Sequence, residues 1–194
     1  YLGLNGGAAW RRPARAPRLR EVPGAAFATL RRHPGVGRNF GYVVLSTAFF
    51  QGFHNIARAL LPMQHLQMGQ RGVMLLQALA SVSFFAGAVF VGLAMQRKQA
   101  AARLPPWLMC GATALLMLAS VLTGSAPWSL SAYALYLFLF EVCAVFFQKN
   151  MLIECPQDAL GLVSSLALSL ATVAMVCVIY AGGWMSDRFG LWLG

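Results

Sequence analysis

The sequence contains little charge, and its acidic residues are far fewer than its basic ones. Of 194 residues only 10% are charged, and the 15 lysines and arginines outnumber the 5 aspartates and glutamates. A typical soluble domain has about 25% charged residues, whereas this chain is 59% hydrophobic. So few polar side chains could not cover the surface of an ordinary soluble domain, which excludes that class. The composition favours a protein whose apolar side chains face lipid.

The sequence also lacks the motifs that hold cofactors or carry catalysis. It has no phosphate-binding glycine loop, no HExxH zinc motif and no GxSxG nucleophile turn. Its 4 cysteines have neither CxxC spacing nor an accompanying histidine pair, so we interpret them as structural thiols. A polytopic membrane enzyme would need polar groups clustered at one interface, and the few acidic residues are scattered. We therefore predict no metal, no cofactor and no enzymatic activity.

Long apolar blocks dominate the rest of the chain. Each has roughly the length that crosses a hydrocarbon core about 30 Å thick. Because backbone groups in lipid must be bonded within their own segment, such blocks form helices and not barrel strands. The sequence therefore predicts an all-α, polytopic transmembrane helical bundle in residues 39–194. Its spans are predicted at residues 40–62, 72–95, 107–123, 128–152 and 160–184, with a truncated sixth from about residue 189.

Several aromatic residues lie near the ends of these spans. They are Trp107, Trp128, Tyr133 and Trp184. Amphipathic rings favour the headgroup level of a membrane, so these residues are candidates for an interfacial belt. Ordinary packing or lipid-facing aromatics are the alternative for each one.

Basic residues are distributed unevenly between the two ends of the predicted spans. Alternating spans put twelve of them on one side: Arg11, Arg12, Arg15, Arg18, Arg20, Arg31, Arg32, Arg38, Arg97, Lys98, Arg103 and Lys149. Only Arg71 and Arg188 fall on the other side. The positive-inside rule makes the basic side cytoplasmic. We therefore predict a multi-pass protein of the cell (inner) membrane with residues 1–38 as a basic cytoplasmic segment.

The basic segment has two possible partners. Nucleic acid is disfavoured, because no aromatic stacking platform or recognition motif accompanies the arginines. Attraction to anionic lipid of the inner leaflet fits the composition better. The lipid bilayer is thus the first predicted partner.

A few polar groups at predicted membrane depth are the candidate functional residues. Glu141 lies in the fourth span, and Gln148 follows seven residues later on the same helix face. Arg58 lies in the first span, with His54 four residues earlier on the same face and Asn55 beside it. An ionisable group at mid-span costs at least about 2.5 to 3.5 kcal/mol unless it faces a bundle interior or a watered cavity. We predict that these five residues line a substrate or ion pathway.

Depth separates the two charged candidates. Arg58 is four residues from Pro62, about 6 Å below the outer end of its helix, so snorkelling to the interface is an alternative role for it. Glu141 is about 20 Å below the outer end of its own helix. A direct salt bridge between Arg58 and Glu141 is therefore disfavoured.

Four segments of the sequence resemble the major facilitator superfamily of transporters. They are residues 31–34 (RRHP), 60–62 (LLP), 155–161 (CPQDALG) and 182–190 (GGWMSDRFG). The last is similar to the GxxxDRxG signature of the superfamily, at Gly183, Asp187, Arg188 and Gly190, although here it follows the fifth predicted span. Residues 51–58 also resemble bacterial siderophore exporters of this superfamily. The chain is most similar to the carboxy-terminal six-helix half of such a transporter.

The resemblance implies a fold and a mechanism. The half would consist of two inverted triplets, whose first helices line a central cavity. Arg58 and Glu141 fall on those two helices. The implied function is secondary transport by alternating access, with proton-coupled export of a small organic solute such as a siderophore or drug. Glu141 would couple to the ion, and Arg58 and His54 would contact an anionic substrate.

The same resemblance implies that the chain is a fragment. It begins without a methionine and stops at Gly194, so we expect a missing N-terminal half of the same transporter as a further partner. The alternative is a non-transporting membrane scaffold or an inactive truncated product, because five helices do not enclose the cavity that two halves make together.

Overall fold

The computed structural model describes residues 22–96 and 105–189, and within these ranges it contains helices and no strand. The helices are α1 (Val22–Arg32), α2 (Pro34–Ser46), α3 (Gly52–Leu60), α4 (Gly69–Gln96), α5 (Pro106–Leu122), α6 (Ala126–Glu154) and α7 (Leu160–Phe189). The all-α prediction is confirmed for these residues. Most of the basic segment, the basic residues at 97–103 and nearly all of the predicted sixth span lie outside them.

Three helices are long and apolar enough to cross a membrane. They contain the stretches Gly69–Ala94, Ala126–Glu154 and Leu160–Met185, with mean hydropathies of 2.0, 2.0 and 2.4. These stretches coincide with the predicted spans 72–95, 128–152 and 160–184, and they support a membrane protein. Helix α5 is apolar but has 17 residues, a length of about 25 Å. The span at 107–123 therefore stays a prediction.

The first predicted span is a continuous helix whose α-helical hydrogen bonding is interrupted twice, while the junctions at Thr47, Gly52 and Leu61 keep helical φ and ψ. Two π-helical segments, Thr47–Gln51 and Leu61–His65, flank the nine-residue α3. Proline at position 62 has no N–H to donate, which favours an irregular turn in the second segment. Residues 40–62 are not among the three candidate membrane-spanning stretches, so the span at 40–62 also stays a prediction. The chain then reverses at Gln67 and Gly69, which have φ values of 50° and 64°.

Helix α6 occupies the centre of the bundle and packs against α2, α4 and α5. Its inner face presents Tyr133, Tyr136 and Leu137, which are all 0% exposed. Helix α7 packs instead on α1, α2, α3 and the first π-helical segment. The interrupted first element is therefore the part of the bundle that both long helices contact.

A cluster of buried apolar residues closes one end of the bundle. It joins the start of α2, the last turn of α6 and the first turns of α7, and consists of Val36, Phe40, Met151, Cys155, Ala159, Val163 and Ala167. The connection between α6 and α7 thus lies at the same end as the beginning of α2. The distribution of basic residues predicts that this end faces the cytoplasm.

The outer faces of α4 and α7 are apolar and uncovered within the described chain. Met74, Phe85 and Leu168 are 75%, 72% and 70% exposed. Only 22% of the most apolar window of α4 and 17% of that of α7 is buried. Exposed apolar area of this extent is unfavourable in water and natural in lipid or against another helical unit.

The aromatic residues at the predicted span ends divide into two groups. Trp107, Trp128 and Trp184 are 68%, 72% and 56% exposed, as interfacial or lipid-facing rings would be. Tyr133 is fully buried, which favours the packing alternative for this residue. Burial follows from its place on the inner face of α6, three residues before Tyr136 and four before Leu137.

Candidate functional site

The centre of the candidate site is a buried polar pair. His54 of α3 is 5% exposed, and its Nδ1 lies 2.7 Å from the hydroxyl oxygen of Tyr133 of α6. The hydroxyl donates to Nδ1 in one tautomer of the imidazole and accepts from it in the other. A buried polar group without such a partner costs about 1 to 3 kcal/mol. The hydrogen bond therefore holds α3 to α6 at a defined register.

Aromatic rings surround this pair. The ring of Phe84 of α4 meets His54 edge-on, with centroids 5.5 Å apart, and lies 6.1 Å from the ring of Phe140. Together with their neighbours these rings form one aromatic cluster: Phe50, Phe53, Phe84, Tyr133, Tyr136 and Phe140. The cluster fills the space between α3, α4 and α6. Edge-to-face ring pairs of this kind favour defined positions over a fluid packing.

A second tyrosine of α6 contacts the interrupted helix directly. The hydroxyl of Tyr136 donates a hydrogen bond to the backbone carbonyl of Phe50, inside the first π-helical segment. A π-helical turn displaces carbonyls from their regular helical partners, and such turns occur frequently at functional sites. Tyr133 and Tyr136 thus hold α3 and the segment before it from the same face of α6.

The other two polar candidates on α3 lie on different sides of the helix. Arg58 is exposed, one turn beyond His54, and its charge is close enough to act electrostatically on His54 and Tyr133. Asn55 is half-buried, and its Nδ2 lies 3.5 Å from the sulfur of Met175 in α7. The structure therefore brings His54, Arg58 and Tyr133 together and turns Asn55 toward α7.

Glu141 lies at a different level. It is eight residues beyond Tyr133, about 12 Å along α6, with Phe140 of the aromatic cluster beside it. Its side chain is half-buried, and the stem packs on Gly87 of α4, where an added Cβ would lie 2.9 Å from the Glu141 Cβ. Within the described residues the Glu141 carboxyl forms no hydrogen bond or ion pair. Arg58 is accordingly not its partner in this structure.

The remaining predicted residues lie apart from the buried pair. Gln148 is exposed and lines a shallow groove with Val145, Lys149, Leu152 and Ile153. Gly183 is half-buried within α7, and that helix continues to Phe189, beyond the predicted end at 184. The Arg188 guanidinium carbon lies 5.5 Å from the ring centroid of Trp184, at cation–π distance. Gly190 and the side chain of Asp187 lie outside the described residues.

Sequence reasoning missed the two tyrosines as site residues. The signal that could have found them is the spacing of Tyr133, Tyr136 and Phe140, which repeats at i, i+3 and i+7 and marks one face of α6. An aromatic face of this kind predicts a packing surface. It does not by itself predict that His54 is the partner, because that contact joins residues 79 positions apart.

The fold and the site together define a class of protein. The described chain is an all-helical unit with three candidate membrane-spanning helices and a buried polar pair beside an interrupted helix. No protein-family model, no curated protein and no solved structure matches the chain.

Proposed function

We propose that this chain is part of a secondary transporter, the carboxy-terminal half of a major facilitator type of fold, which moves a small organic solute by alternating access. The observation that carries the proposal is the buried His54–Tyr133 pair at an interrupted helix. Polar and ionisable groups at membrane depth are expensive, and an ionisable residue there is a candidate for a functional site.

The backbone around the pair supports the same proposal. Irregular helix at membrane depth is tolerated where it is buried in protein or lines a cavity. π-Helical turns within helices are frequent at functional sites. Here α3 lies between two π-helical segments. Two of its own residues, His54 and Arg58, supply an imidazole and a guanidinium one helical turn apart. A guanidinium is well suited to contact a carboxylate or other anionic group of a substrate.

Glu141 is proposed as the coupling group. Its half-buried side chain lies about 12 Å along α6 from the buried pair, and its carboxyl has no partner within the described chain. An ionised carboxylate in an apolar setting is costly, so loading with a proton and release of it change the stability of the conformation that buries the group. That difference is the physical basis for coupling solute movement to a proton gradient.

The proposed orientation and substrate follow from the sequence. The basic residues place the beginning of α2 and the α6–α7 connection at the cytoplasmic side of the cell (inner) membrane. Export of a siderophore or drug-like solute is the proposed direction and class, because residues 51–58 resemble siderophore exporters. A second half of the same transporter would cover the exposed faces of α4 and α7.

The proposal is tested by transport in proteoliposomes containing the full-length protein. Proton movement is followed with a pH-sensitive dye in the lumen while a panel of siderophore-like and amphipathic solutes is added outside. Glu141→Gln is expected to reduce solute-dependent proton flux at least tenfold. Glu154→Gln is the matched control, because it makes the same chemical change at an exposed carboxyl at the end of α6.

The outcomes separate the alternatives. Loss of flux in the Glu141 variant alone, with unchanged chromatographic behaviour, supports coupling at Glu141. Equal flux in both variants assigns Glu141 to the packing of α4 on α6 and removes it from the mechanism. Absence of solute-dependent flux in the unmodified protein for every solute favours a non-transporting membrane scaffold.

A further inference from the structure

Helix α1 lies at the end of the bundle where α6 stops and α7 begins. Ala26 on its inner face is 0% exposed, and Leu30 packs against the apolar cluster that contains Cys155 and Ala159 of the α6–α7 connection. Because α6 and α7 are long and apolar enough to cross a membrane, their connection lies at the membrane surface. Helix α1 therefore lies at that surface as well, and not within the bundle.

The opposite face of α1 is a shallow groove that is apolar along its length and cationic at one end. Within the described part of the chain its lining residues are Gly24, Phe27, Ala28, Arg31 and Arg32. The first four follow the spacing i, i+3, i+4 and i+7 of one helix face. The Phe27 ring is 47% exposed, and within the part of the chain that the structure describes neither arginine has a carboxylate partner.

Charge around the groove favours an anionic ligand. Arg38 and Lys149 add positive charge at the same end of the bundle, and five further arginines precede α1 in the sequence. Two carboxylates, Glu154 and Asp158, also lie at this end. The Glu154 carboxylate packs against Gly35 at the beginning of α2, where it complements the positive end of that helix.

We propose that this face of α1 binds the headgroup of an anionic phospholipid from the adjoining leaflet. A guanidinium pairs with phosphate through parallel N–H donors, and two adjacent arginines supply two such groups. The Phe27 ring enters the boundary between headgroups and acyl chains, as aromatic residues of interfacial helices do. The proposal does not depend on transport, since it requires only that α6 and α7 cross the membrane.

The test reads lipid contact at the groove itself. Phe27→Trp places an indole reporter there, and the full-length protein is reconstituted in vesicles of brominated phosphatidylcholine with increasing unlabelled phosphatidylglycerol. Relief of quenching, after subtraction of the signal from the native tryptophans, gives the relative association constant of the anionic over the zwitterionic lipid at this position. The reporter is expected to prefer phosphatidylglycerol at least fivefold, about the effect of one basic residue near a membrane surface.

Charge variants made in the Phe27→Trp protein test whether Arg31 and Arg32 cause the preference for the anionic lipid. Arg31→Gln with Arg32→Gln is expected to lower the preference at least fivefold, whereas Arg71→Gln, an exposed arginine at the other end of the bundle, leaves it within twofold. An equal fall in the Arg71 variant would overturn the proposal, as would a reporter that never prefers the anionic lipid. If the double variant does not fold, a salt series decides: raising salt from about 0.05 to about 0.5 M must reduce the preference, because screening weakens phosphate contacts.

Discussion

Helices α6 and α7 have nearly the same length and hydropathy but different surroundings. Their apolar stretches contain 29 and 26 residues with mean hydropathies of 2.0 and 2.4, yet 39% of the α6 window is buried and only 17% of the α7 window. Helix α6 is covered by α2, α4 and α5, whereas α7 is covered on one side by the interrupted first element. Hydropathy therefore identifies which segments cross a membrane, and it carries no information on which protein neighbours they have.

The largest effect of this difference is expected for a leucine on each helix. Leu137→Ala in α6 removes a side chain that is 0% exposed and leaves a cavity, so it is expected to lower the free energy of unfolding by about 2 to 5 kcal/mol. Leu168→Ala in α7 removes one that is 70% exposed and is expected to change it by no more than about 0.5 kcal/mol. Unfolding in detergent micelles by increasing fractions of dodecyl sulfate measures both values.

The same two leucine variants can also contradict the inferred difference between the surroundings of α6 and α7. An equal cost for the two leucines in the full-length protein would mean that a further helical unit covers α7 as tightly as α4 and α5 cover α6. Equal small costs would mean instead that the core around Tyr133 and Tyr136 is loosely packed.

A second contrast concerns the face of α4 that meets α6. At Gly87 an added Cβ would lie 2.9 Å from both the Glu141 Cβ and the Phe138 carbonyl oxygen, so one partner is rigid backbone. Gly87→Ala is expected to destabilise the protein by about 1 to 2 kcal/mol, because overpacking outweighs the gain in helix propensity. Gly92→Ala on the same helix meets nothing within 4 Å and is expected to be neutral or stabilising by up to about 1 kcal/mol. Destabilisation by the Gly92 variant would show that α4 has a second covered face.

A third contrast compares one tyrosine from each helix. Tyr133→Phe in α6 removes the hydroxyl that pairs with His54 and is expected to cost about 1 kcal/mol, near the upper range for hydrogen bonds within membranes. Tyr180→Phe in α7, where the side chain is 81% exposed, is expected to change stability by less than about 0.5 kcal/mol. Identical unfolding curves for Tyr133→Phe and the unmodified protein would mean that the imidazole finds water or another partner.

The sequence predicts the parts of this fold that are determined locally. Runs of apolar residues predict α4, α6 and α7 within a few residues, because lipid supplies the environment for them and no partner has to be known. The π-helical segment at Thr47–Gln51 could not be predicted in this way. The hydroxyl that bonds its Phe50 carbonyl belongs to Tyr136, 86 residues further along the chain.

The candidate site likewise has one part that the sequence predicts and one part that depends on tertiary contacts. Residue type and predicted depth indicate His54, Arg58 and Glu141 as candidates, and their functional role stays a prediction. The contacts of Glu141 with Gly87 and of Tyr133 with His54 require the pairing of α6 with α4 and α3. That pairing depends on tertiary contacts, which a single sequence does not specify.

The smallest expected effect lies where the two helices join. Cys155 is buried in the α6–α7 connection, and burial, followed by the negative charge of Asp158, raises the pKa of its thiol. A thiol whose pKa is higher in the folded than in the unfolded protein stabilises the fold below its ordinary pKa of about 8.5. That contribution is lost as the pH rises through the folded-state pKa. Stability is therefore expected to fall slightly under alkaline conditions, and the pH midpoint for alkylation of Cys155 by iodoacetamide is expected above that of a free thiol.

Asp158→Asn tests the electrostatic part of this expectation. Removing the carboxylate leaves burial as the main cause, so the midpoint is expected to move toward that of free glutathione without reaching it. The midpoint is the informative quantity, because burial slows alkylation at every pH and the rate alone would not separate access from ionisation. A midpoint at or below that of glutathione in the unmodified protein would mean that Cys155 is exposed to water, and that the connection between α6 and α7 is not packed against α2 as the cluster around Val36 requires.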